Sequence, residues 1–116
     1  MIELQNPIDA AKWLRTNVSG SLQTNSQNIN RGDGFVAWPG SSTDGRHFVK
    51  QSLAKGAAVC LVEANGIQAF DFENSSDQVA VFKDLKKFIF DNFNKNFDNF
   101  VKEFDQFNVT CTLFYC

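Results

Sequence analysis

Three consecutive hydroxyl side chains, Ser41, Ser42 and Thr43, are candidate ligand-binding groups. They follow Pro39-Gly40 and precede Asp44-Gly45-Arg46. Hydroxyl groups both donate and accept hydrogen bonds, so this loop is suited to a nucleotide base or a diphosphate, more so if it leads into a helix N-terminus. The alternative is structural, because Ser, Thr and Asp are ordinary N-cap residues and Pro-Gly is an ordinary turn. The local pattern alone favours the structural interpretation.

Better-defined catalytic and metal sites have little support. The loop lacks the Gly-Lys-Ser/Thr of a P-loop, and no Gly-x-Gly-x-x-Gly occurs. His47 is the only histidine and no Gly-x-Ser-x-Gly is present, which argues against a serine triad. Cys60, Cys111 and Cys116 lack the paired spacing of a zinc site, so we predict no metal. We expect Cys60, inside an apolar run, to be buried.

Composition narrows the class of protein. The 116 residues, 43% of them hydrophobic, carry a formal net charge of −2. This predicts one domain with a modest core and gives no indication of a nucleic-acid partner. Neither a signal peptide nor an apolar run of membrane-spanning length is apparent, so we expect a cytoplasmic protein without a membrane partner. We interpret the Arg-Gly-Asp sequence at 31–33 as a turn.

Residues 41–43 are called the hydroxyl loop below. The elements that position this loop are predicted from apolar runs. Asn6-Pro7 begins a helix, with one apolar face made by Ile8, Ala11, Trp13 and Leu14. A second helix follows the loop and ends at Gly56. Strands are predicted at 35–38, 57–62 and 79–82, and more weakly at 21–24. Strand, helix, strand with short loops predicts an α/β fold, a small three-layer domain with a mostly parallel sheet.

The character of the chain changes after about residue 83. The glycines all lie before residue 67, and a stripe of phenylalanines at helical spacing follows, made of Phe90, Phe93, Phe97, Phe100, Phe104 and Phe107. We predict a helix to about Gln106 and a β-like segment at 108–116. An exposed stripe of this kind would be a self-association surface.

Residues 22–63 contain an ordered series of motifs, made of Ser26, Gly32-Asp33, Phe35-Val36-Ala37, Gly40, Asp44-Gly45-Arg46, Ala54, Gly56-Ala57 and Val62-Glu63. In these residues and their order the segment resembles the N-terminal domain of the Mur ligase family, above all its members that add the third residue of the peptidoglycan stem peptide. A looser resemblance runs through residue 87. The predicted domains are therefore 1–87, of the Mur ligase N-terminal type, and 88–116, a Phe- and Asn-rich tail outside the family pattern.

This resemblance implies a substrate and its contacts. The domain would bind the UDP moiety of UDP-MurNAc-L-Ala-D-Glu, a UDP-MurNAc-dipeptide, through Thr24, Ser26, Ser41, Ser42 and Thr43. The next three residues, Asp44, Gly45 and Arg46, would shape the loop and cap the helix. Arg46 would pair with Asp33 or Asp44, or reach a phosphate. The family's Asp-Ser-Arg segment is Asn25-Ser26-Gln27 here, so two opposite charges are missing together.

Complete family members continue into an ATP-binding domain, which uses Mg²⁺, and a C-terminal domain. The chain lacks their phosphate loop, so we expect no catalytic residue and no cofactor in it, and it looks like a truncated ligase fragment. Whether it is an enzyme stays open. The alternative is a non-catalytic interaction or structural protein that keeps the fold, has lost nucleotide binding and self-associates through the phenylalanine stripe.

Overall fold

The structure, a computed structural model, describes residues 1–72, 77–90 and 108–109. Its strands are β1 Ile2–Leu4, β2 Ser21–Gln23, β3 Gly34–Ala37, β4 Val59–Glu63, β5 Val79–Phe82 and β6 Asn108–Val109. Its α-helices are α1 Pro7–Asn17, α2 Val49–Ala54 and α3 Leu85–Phe90. Short 3₁₀ turns cover Ser26–Asn28, Gly45–Phe48 and Ile67–Ala69.

The six strands form one sheet in the order β1-β5-β4-β3-β2-β6. Every described pairing between these six strands is parallel, with Phe35 opposite Cys60 and Cys60 opposite Val79 along the centre of the sheet. All positions of β3, β4 and β5 are buried. Strands covered on both faces need apolar side chains throughout, which is why their sequences are continuous apolar runs. The predicted α/β fold is confirmed.

Helices cover both faces of the sheet. On one face Val36 and Leu61 pack with Leu14 of α1 and Leu85 of α3. On the other face a second core contains Val49 of α2. The alternation of side chains along each strand divides the residues between these two cores and produces the predicted three layers.

Helix α3 carries the core beyond residue 87. Phe88 is 6% exposed and Ile89 is fully buried, and both belong to the core that contains α1. Phe88 lies against the ring of Phe82 on β5, with ring centroids 4.8 Å apart. The folded body therefore includes the first residues after position 87.

Helix α1 begins as its sequence predicts. The side chain of Asn6 accepts a hydrogen bond from the main-chain N–H of Asp9 at 2.9 Å, and Pro7 is the first helical residue. The predicted apolar face is wrong at Ile8, which is 60% exposed. Ala10 is buried instead, because Ile8 lies about 200° away from it around the helix axis.

Strand β1 was not predicted. It contains only three residues, and Glu3 interrupts the apolar pattern. It forms because Ile2 and Leu4 lie opposite Ala80 and Phe82 of β5, so β5 is not the edge of the sheet. So short a strand carries no periodic signal of its own.

The Arg-Gly-Asp sequence forms the predicted turn. Gly32 has a φ of +89°, which favours glycine, and its N–H donates to the carbonyl of Gly56 at 2.9 Å. Asp33 is 4% exposed, and its carboxylate accepts hydrogen bonds from the N–H groups of Ser21 and Asn30, each at 2.8 Å. The carboxylate ties the start of β2 to the loop before β3.

The tail is described only in part. Beyond α3, the predicted helix to Gln106 lies outside the described residues, as do the side chains of the phenylalanine stripe and Cys111 and Cys116. The predicted β-like segment is confirmed at Asn108–Val109, which pairs with β2. In the described part of the chain, no helix is both long and apolar enough to span a bilayer.

Candidate functional site

A cavity of about 480 Å³ opens at the carboxyl ends of β2 and β3. Its walls are residues 24–27, residues 36–38, the loop residues 40–43 with Gly45, and Phe48 and Gln51. Ligands of parallel α/β sheets bind at this edge, and the volume is within the ~300–1,000 Å³ typical of small-molecule sites. The cavity is the candidate binding site.

All five side chains predicted to contact a ligand line this cavity. Thr24 and Ser26 follow β2, whereas Ser41, Ser42 and Thr43 follow β3. They meet because β2 and β3 are parallel neighbours whose carboxyl ends lie side by side. Their contact with a substrate stays a prediction.

The β2 end of the pocket is held by a short 3₁₀ turn. The side-chain oxygen of Asn25 accepts a hydrogen bond from the N–H of Gln27 at 2.9 Å and caps this turn. Ser26 is 7% exposed, and its carbonyl accepts a hydrogen bond from the Lys55 ammonium at 3.2 Å. An amide oxygen at position 25 therefore provides the capping that a carboxylate would provide.

The hydroxyl loop is closed at its base. The N–H of Gly40 donates to the carbonyl of Thr43 at 2.8 Å, and Pro39 forms an antiparallel bridge with Asp44. A Cβ on residue 40 would lie 3.0 Å from that same carbonyl oxygen, so glycine suits this close approach. Ser41 and Ser42 thus form an exposed tip at the pocket mouth.

Asp44 and Arg46 hold the far side of this loop. The Asp44 carboxylate accepts a hydrogen bond from the Arg46 N–H at 3.0 Å and forms an ion pair with its guanidinium at 2.8 Å. The hydrogen bond from the Arg46 side chain is the largest cause that lowers the pKa of Asp44 below its ordinary value. Of the partners left open for Arg46, the structure selects Asp44, because Asp33 bonds to main-chain N–H groups.

The other end of the guanidinium reaches the end of β4. Nη1 of Arg46 donates to the carbonyls of Glu63 at 2.8 Å and Asn65 at 2.6 Å. The guanidinium carbon lies 4.7 Å from the centre of the Phe70 ring, and Arg46 is only 5% exposed. Arg46 therefore fastens the hydroxyl loop to the neighbouring strand, a loop-shaping geometry.

Other pocket residues were missed from the sequence. Trp38 and Phe48 line it, and Trp38 is only 4% exposed because it belongs to the core that contains α1. Gln27 and Gln51 also line the pocket and carry amide groups. Trp38 and Phe48 were assigned to a strand and a helix, and their local pattern shows only that they are apolar. A signal was available for Trp38, because it directly follows a buried strand whose carboxyl end faces the site.

The thiol of Cys60 lies outside the pocket. Cys60 is buried in the centre of the sheet, as predicted, and burial raises the pKa of its thiol to about 12. Within residues 1–72 and 77–90, no three His, Cys, Asp or Glu side chains come together in a way that would hold a metal ion.

A family model and individual relatives indicate the same protein family. The model of the Mur ligase family, catalytic domain, matches residues 20–91. UDP-N-acetylmuramoyl-L-alanyl-D-glutamate--2,6-diaminopimelate ligase of Acidovorax sp. (strain JS42) is 49% identical over 78 residues, which are 67% of this chain and 15% of that protein. The ligase of the same name from Coxiella burnetii (strain RSA 493 / Nine Mile phase I) is 49% identical over 45 residues, 39% of this chain and 9% of that protein.

A solved structure agrees with these relatives. The crystal structure of MurF ligase from Thermotoga maritima in complex with ADP matches with a TM-score of 0.50 and 25% sequence identity. The match covers 61% of this chain and 15% of that chain. This chain thus corresponds to a small part of the length of each of these three proteins.

Proposed function

Because the chain belongs to the Mur ligase family, we propose that its pocket binds the UDP moiety of UDP-MurNAc-L-Ala-D-Glu for a peptidoglycan-precursor ligase. One observation carries the proposal: the five residues identified from the resemblance line a single cavity of suitable size at the carboxyl edge of the sheet. The Acidovorax and Coxiella relatives are ligases whose name contains the same UDP-N-acetylmuramoyl dipeptide.

The chemistry of the pocket suits a uridine. Uracil presents one N–H donor and two carbonyl acceptors, and ribose adds hydroxyl groups. The hydroxyl groups of Ser26 and Thr24 and the amide of Gln51 provide both donors and acceptors. Phe48, which is partly exposed, provides apolar aromatic surface for the base. Such a pocket combines apolar walls with a small number of polar groups that fix orientation.

We assign substrate holding, and not catalysis, to this part of the ligase. The chain covers 15% of the Acidovorax relative, and ATP-driven ligation needs several charged groups and metal ions around the phosphates. In this proposal ATP and Mg²⁺ bind in the remainder of a full-length ligase. The reaction takes place in the cytoplasm, with the nucleotide-linked precursor as substrate.

An amide NMR titration tests the proposal directly. The purified chain is titrated with UDP-MurNAc-dipeptide and, separately, with UDP. We expect shifts at residues 24–26 and 41–46 with both ligands, because these segments line or support the pocket. A folded spectrum that stays unchanged at ligand concentrations of about 1 mM would contradict the proposal, since it implies a binding free energy weaker than about −4 kcal/mol. That result would favour the alternative of an interaction protein.

A loop variant tests the role of the hydroxyl groups. The change combines Ser41→Ala, Ser42→Ala and Thr43→Val, which removes the hydroxyls and keeps the length of the loop. Each lost hydrogen bond costs about 1 kcal/mol, and about 1.4 kcal/mol corresponds to a tenfold change in Kd. Loss of two or three such bonds should therefore raise the Kd for UDP more than about tenfold. Thr16→Val, at an exposed position of α1, is the matched control and should leave the Kd unchanged. Isothermal calorimetry measures both, and equal Kd values would rule out a role for the loop hydroxyls.

A further inference from the structure

We propose that Glu63 is a positioning residue that couples the hydroxyl loop of the pocket to helix α3, so that a change at one end reaches the other. The residue ends strand β4, is 8% exposed and lies outside the pocket walls. It bonds the loop through its main chain and α3 through its side chain. That UDP is the ligand held by the loop rests on the proposed function, whereas the coupling itself depends only on the contacts of Glu63.

The main chain around Glu63 holds the loop. Nη1 of Arg46 donates to the carbonyls of Glu63 at 2.8 Å and Asn65 at 2.6 Å. Nη2 of the same guanidinium donates to the Asp44 carboxylate at 2.8 Å, and Asp44 forms the bridge with Pro39 at the base of the loop. A guanidinium is planar and rigid, so these partners keep a fixed geometry relative to one another. Movement at the loop base is therefore passed to the end of β4.

The side chain of Glu63 holds the start of α3. Its Oε1 accepts a hydrogen bond from the N–H of Leu85 at 3.0 Å, and its Oε2 accepts one from the N–H of Asp84 at 3.3 Å. N–H groups at the start of a helix lack partners within the helix, and the helix dipole favours a carboxylate there. Oε2 also accepts from the N–H of Asn65 at 2.9 Å. Asn65 therefore takes part in both connections, with its carbonyl bonded to Arg46 and its N–H bonded to the carboxylate.

Asp84 is held in a strained conformation by these contacts. Its φ of +59° lies in the left-handed region, which costs free energy for a residue with a Cβ. Its N–H is bonded to Glu63, and its carbonyl accepts a hydrogen bond from the N–H of Phe88 at 3.0 Å. Strained residues persist only where their surroundings hold them. The first turn of α3 therefore depends on Glu63, and loosening of the carboxylate should release Asp84 toward other backbone conformations.

Coupling between two sites is reciprocal, which fixes the direction of each expected effect. A ligand on the hydroxyl loop would fix Arg46 and Asn65, and with them the carboxylate of Glu63, so the start of α3 should open less often. By the same relation, a variant that frees the start of α3 should weaken the ligand by the same factor. Coupling factors in proteins are typically about fivefold or more, which amide exchange and calorimetry both resolve.

Amide hydrogen exchange of the ligand-free chain tests the coupling. Glu63→Gln keeps the size of the side chain but removes its charge and replaces one acceptor oxygen with a donor. We expect the N–H of Leu85 to exchange at least about fivefold faster, and the N–H of Gly40, which closes the loop base, to exchange faster as well. Glu3→Gln, at an exposed position of β1, is the matched control and should change neither rate. An unchanged Gly40 rate in Glu63→Gln would overturn the proposal, because Glu63 would then only cap α3.

A variant on the loop side keeps the test decisive if Glu63→Gln does not fold. Gly40→Ala places a Cβ 3.0 Å from the Thr43 carbonyl oxygen and crowds the loop base. We expect the N–H of Leu85, at the other end of the coupling, to exchange faster in this variant. Ser42→Ala, at the exposed tip of the loop, is the control and should leave that rate unchanged. An unchanged Leu85 rate in Gly40→Ala would overturn the proposal.

UDP tests whether a ligand uses the coupling. With the native chain at saturating UDP, we expect the N–H of Leu85 to exchange about fivefold more slowly than without ligand. In Glu63→Gln that slowing should be lost and the Kd for UDP, measured by calorimetry, should rise about fivefold, whereas Glu3→Gln should match the native chain. UDP binding without an effect on the Leu85 rate would overturn the coupling and leave the proposed function intact. Absence of UDP binding would overturn the proposed function, and the exchange rates of the ligand-free variants would still decide the coupling.

Discussion

Replacement of Arg46 by Met should destabilise the protein more than any other single change in the pocket loop. Methionine has a similar length and keeps apolar contact with Phe70, but it removes the charge and all the donors of the guanidinium. The change leaves Asp44 without its ion-pair partner and leaves the carbonyls of Glu63 and Asn65 without these donors.

The size of the effect follows from this geometry. Loss of one partner from a buried ion pair costs about 3–5 kcal/mol. The side chain of Asp44 is 20% exposed, so water can partly solvate the orphaned carboxylate, which favours the lower end of the range. We therefore expect the free energy of unfolding to fall by about 3 kcal/mol, a large part of the ~5–15 kcal/mol typical of a domain.

Urea denaturation followed by the fluorescence of Trp13 and Trp38 measures this loss. Asp44→Asn is the matched variant, because its amide oxygen can still cap the turn while Arg46 keeps its two carbonyl partners. We expect Asp44→Asn to cost about 2 kcal/mol, less than Arg46→Met, because the buried guanidinium loses its counter-charge but keeps both carbonyl acceptors. The double variant should cost less than the sum of the two single changes, because it removes both charges of the pair.

The decisive result is which of the two variants, Arg46→Met or Asp44→Asn, loses more free energy of unfolding. If Arg46→Met costs no more than Asp44→Asn, the carbonyl contacts of Arg46 contribute nothing to stability. If Arg46→Met changes the free energy of unfolding by less than about 1 kcal/mol, the guanidinium does not fasten the loop to β4 in solution. Either outcome would refute the role assigned to Arg46.

Three further predictions concern pH, packing and thiol reactivity. The pKa of Asp44 is lowered in the folded state, so its stabilising contribution is present above its unfolded pKa of about 4 and is lost as the pH falls through the folded value. Thermal unfolding should therefore show a steeper loss of Tm below about pH 4 in the native sequence than in Asp44→Asn, and parallel curves would contradict this. Gly34→Ala places a Cβ 2.8 Å from a methyl of Val18 and 3.0 Å from one of Leu22. This crowding should lower the free energy of unfolding by about 1–3 kcal/mol in urea denaturation. An unchanged midpoint would contradict this, since it would show that the core accommodates the added methyl group. Cys60 should resist iodoacetamide at pH 8 in the folded state and react in guanidinium, as peptide mass spectrometry would show, because burial raises the pKa of its thiol to about 12; labelling of the folded protein would refute this.

Local patterns predicted much of the fold. The runs at 35–38, 57–62 and 79–82 form central strands with bounds close to those predicted, because strands covered on both faces require apolar side chains throughout. The start of α1 at Asn6-Pro7 and the turn at Gly32 were also predicted correctly from the sequence. Each depends on the chemistry of adjacent residues, which the sequence displays directly.

Other features depend on residues that are distant in the sequence. Glu63 illustrates this, because its carboxylate accepts hydrogen bonds from the N–H groups of Asp84 at 3.3 Å and Leu85 at 3.0 Å and so caps α3. Nothing near residue 63 or residue 84 predicts that contact. It arises because β4 and β5 are parallel neighbours, so the end of one lies beside the residues that follow the other.

The sequence by itself determined the hydroxyl loop and the strand that precedes it, because residue type and spacing govern local structure, and the family resemblance added Thr24 and Ser26 as candidate ligand groups. Only the tertiary structure decided that Thr24 and Ser26 share one cavity with the hydroxyl loop, since the pairing of β2 with β3 brings them together. It also decided the partner of Arg46. The sequence offers two aspartates, and only the packing of the loop against β4 leaves Asp44 within reach while Asp33 is held by main-chain N–H groups.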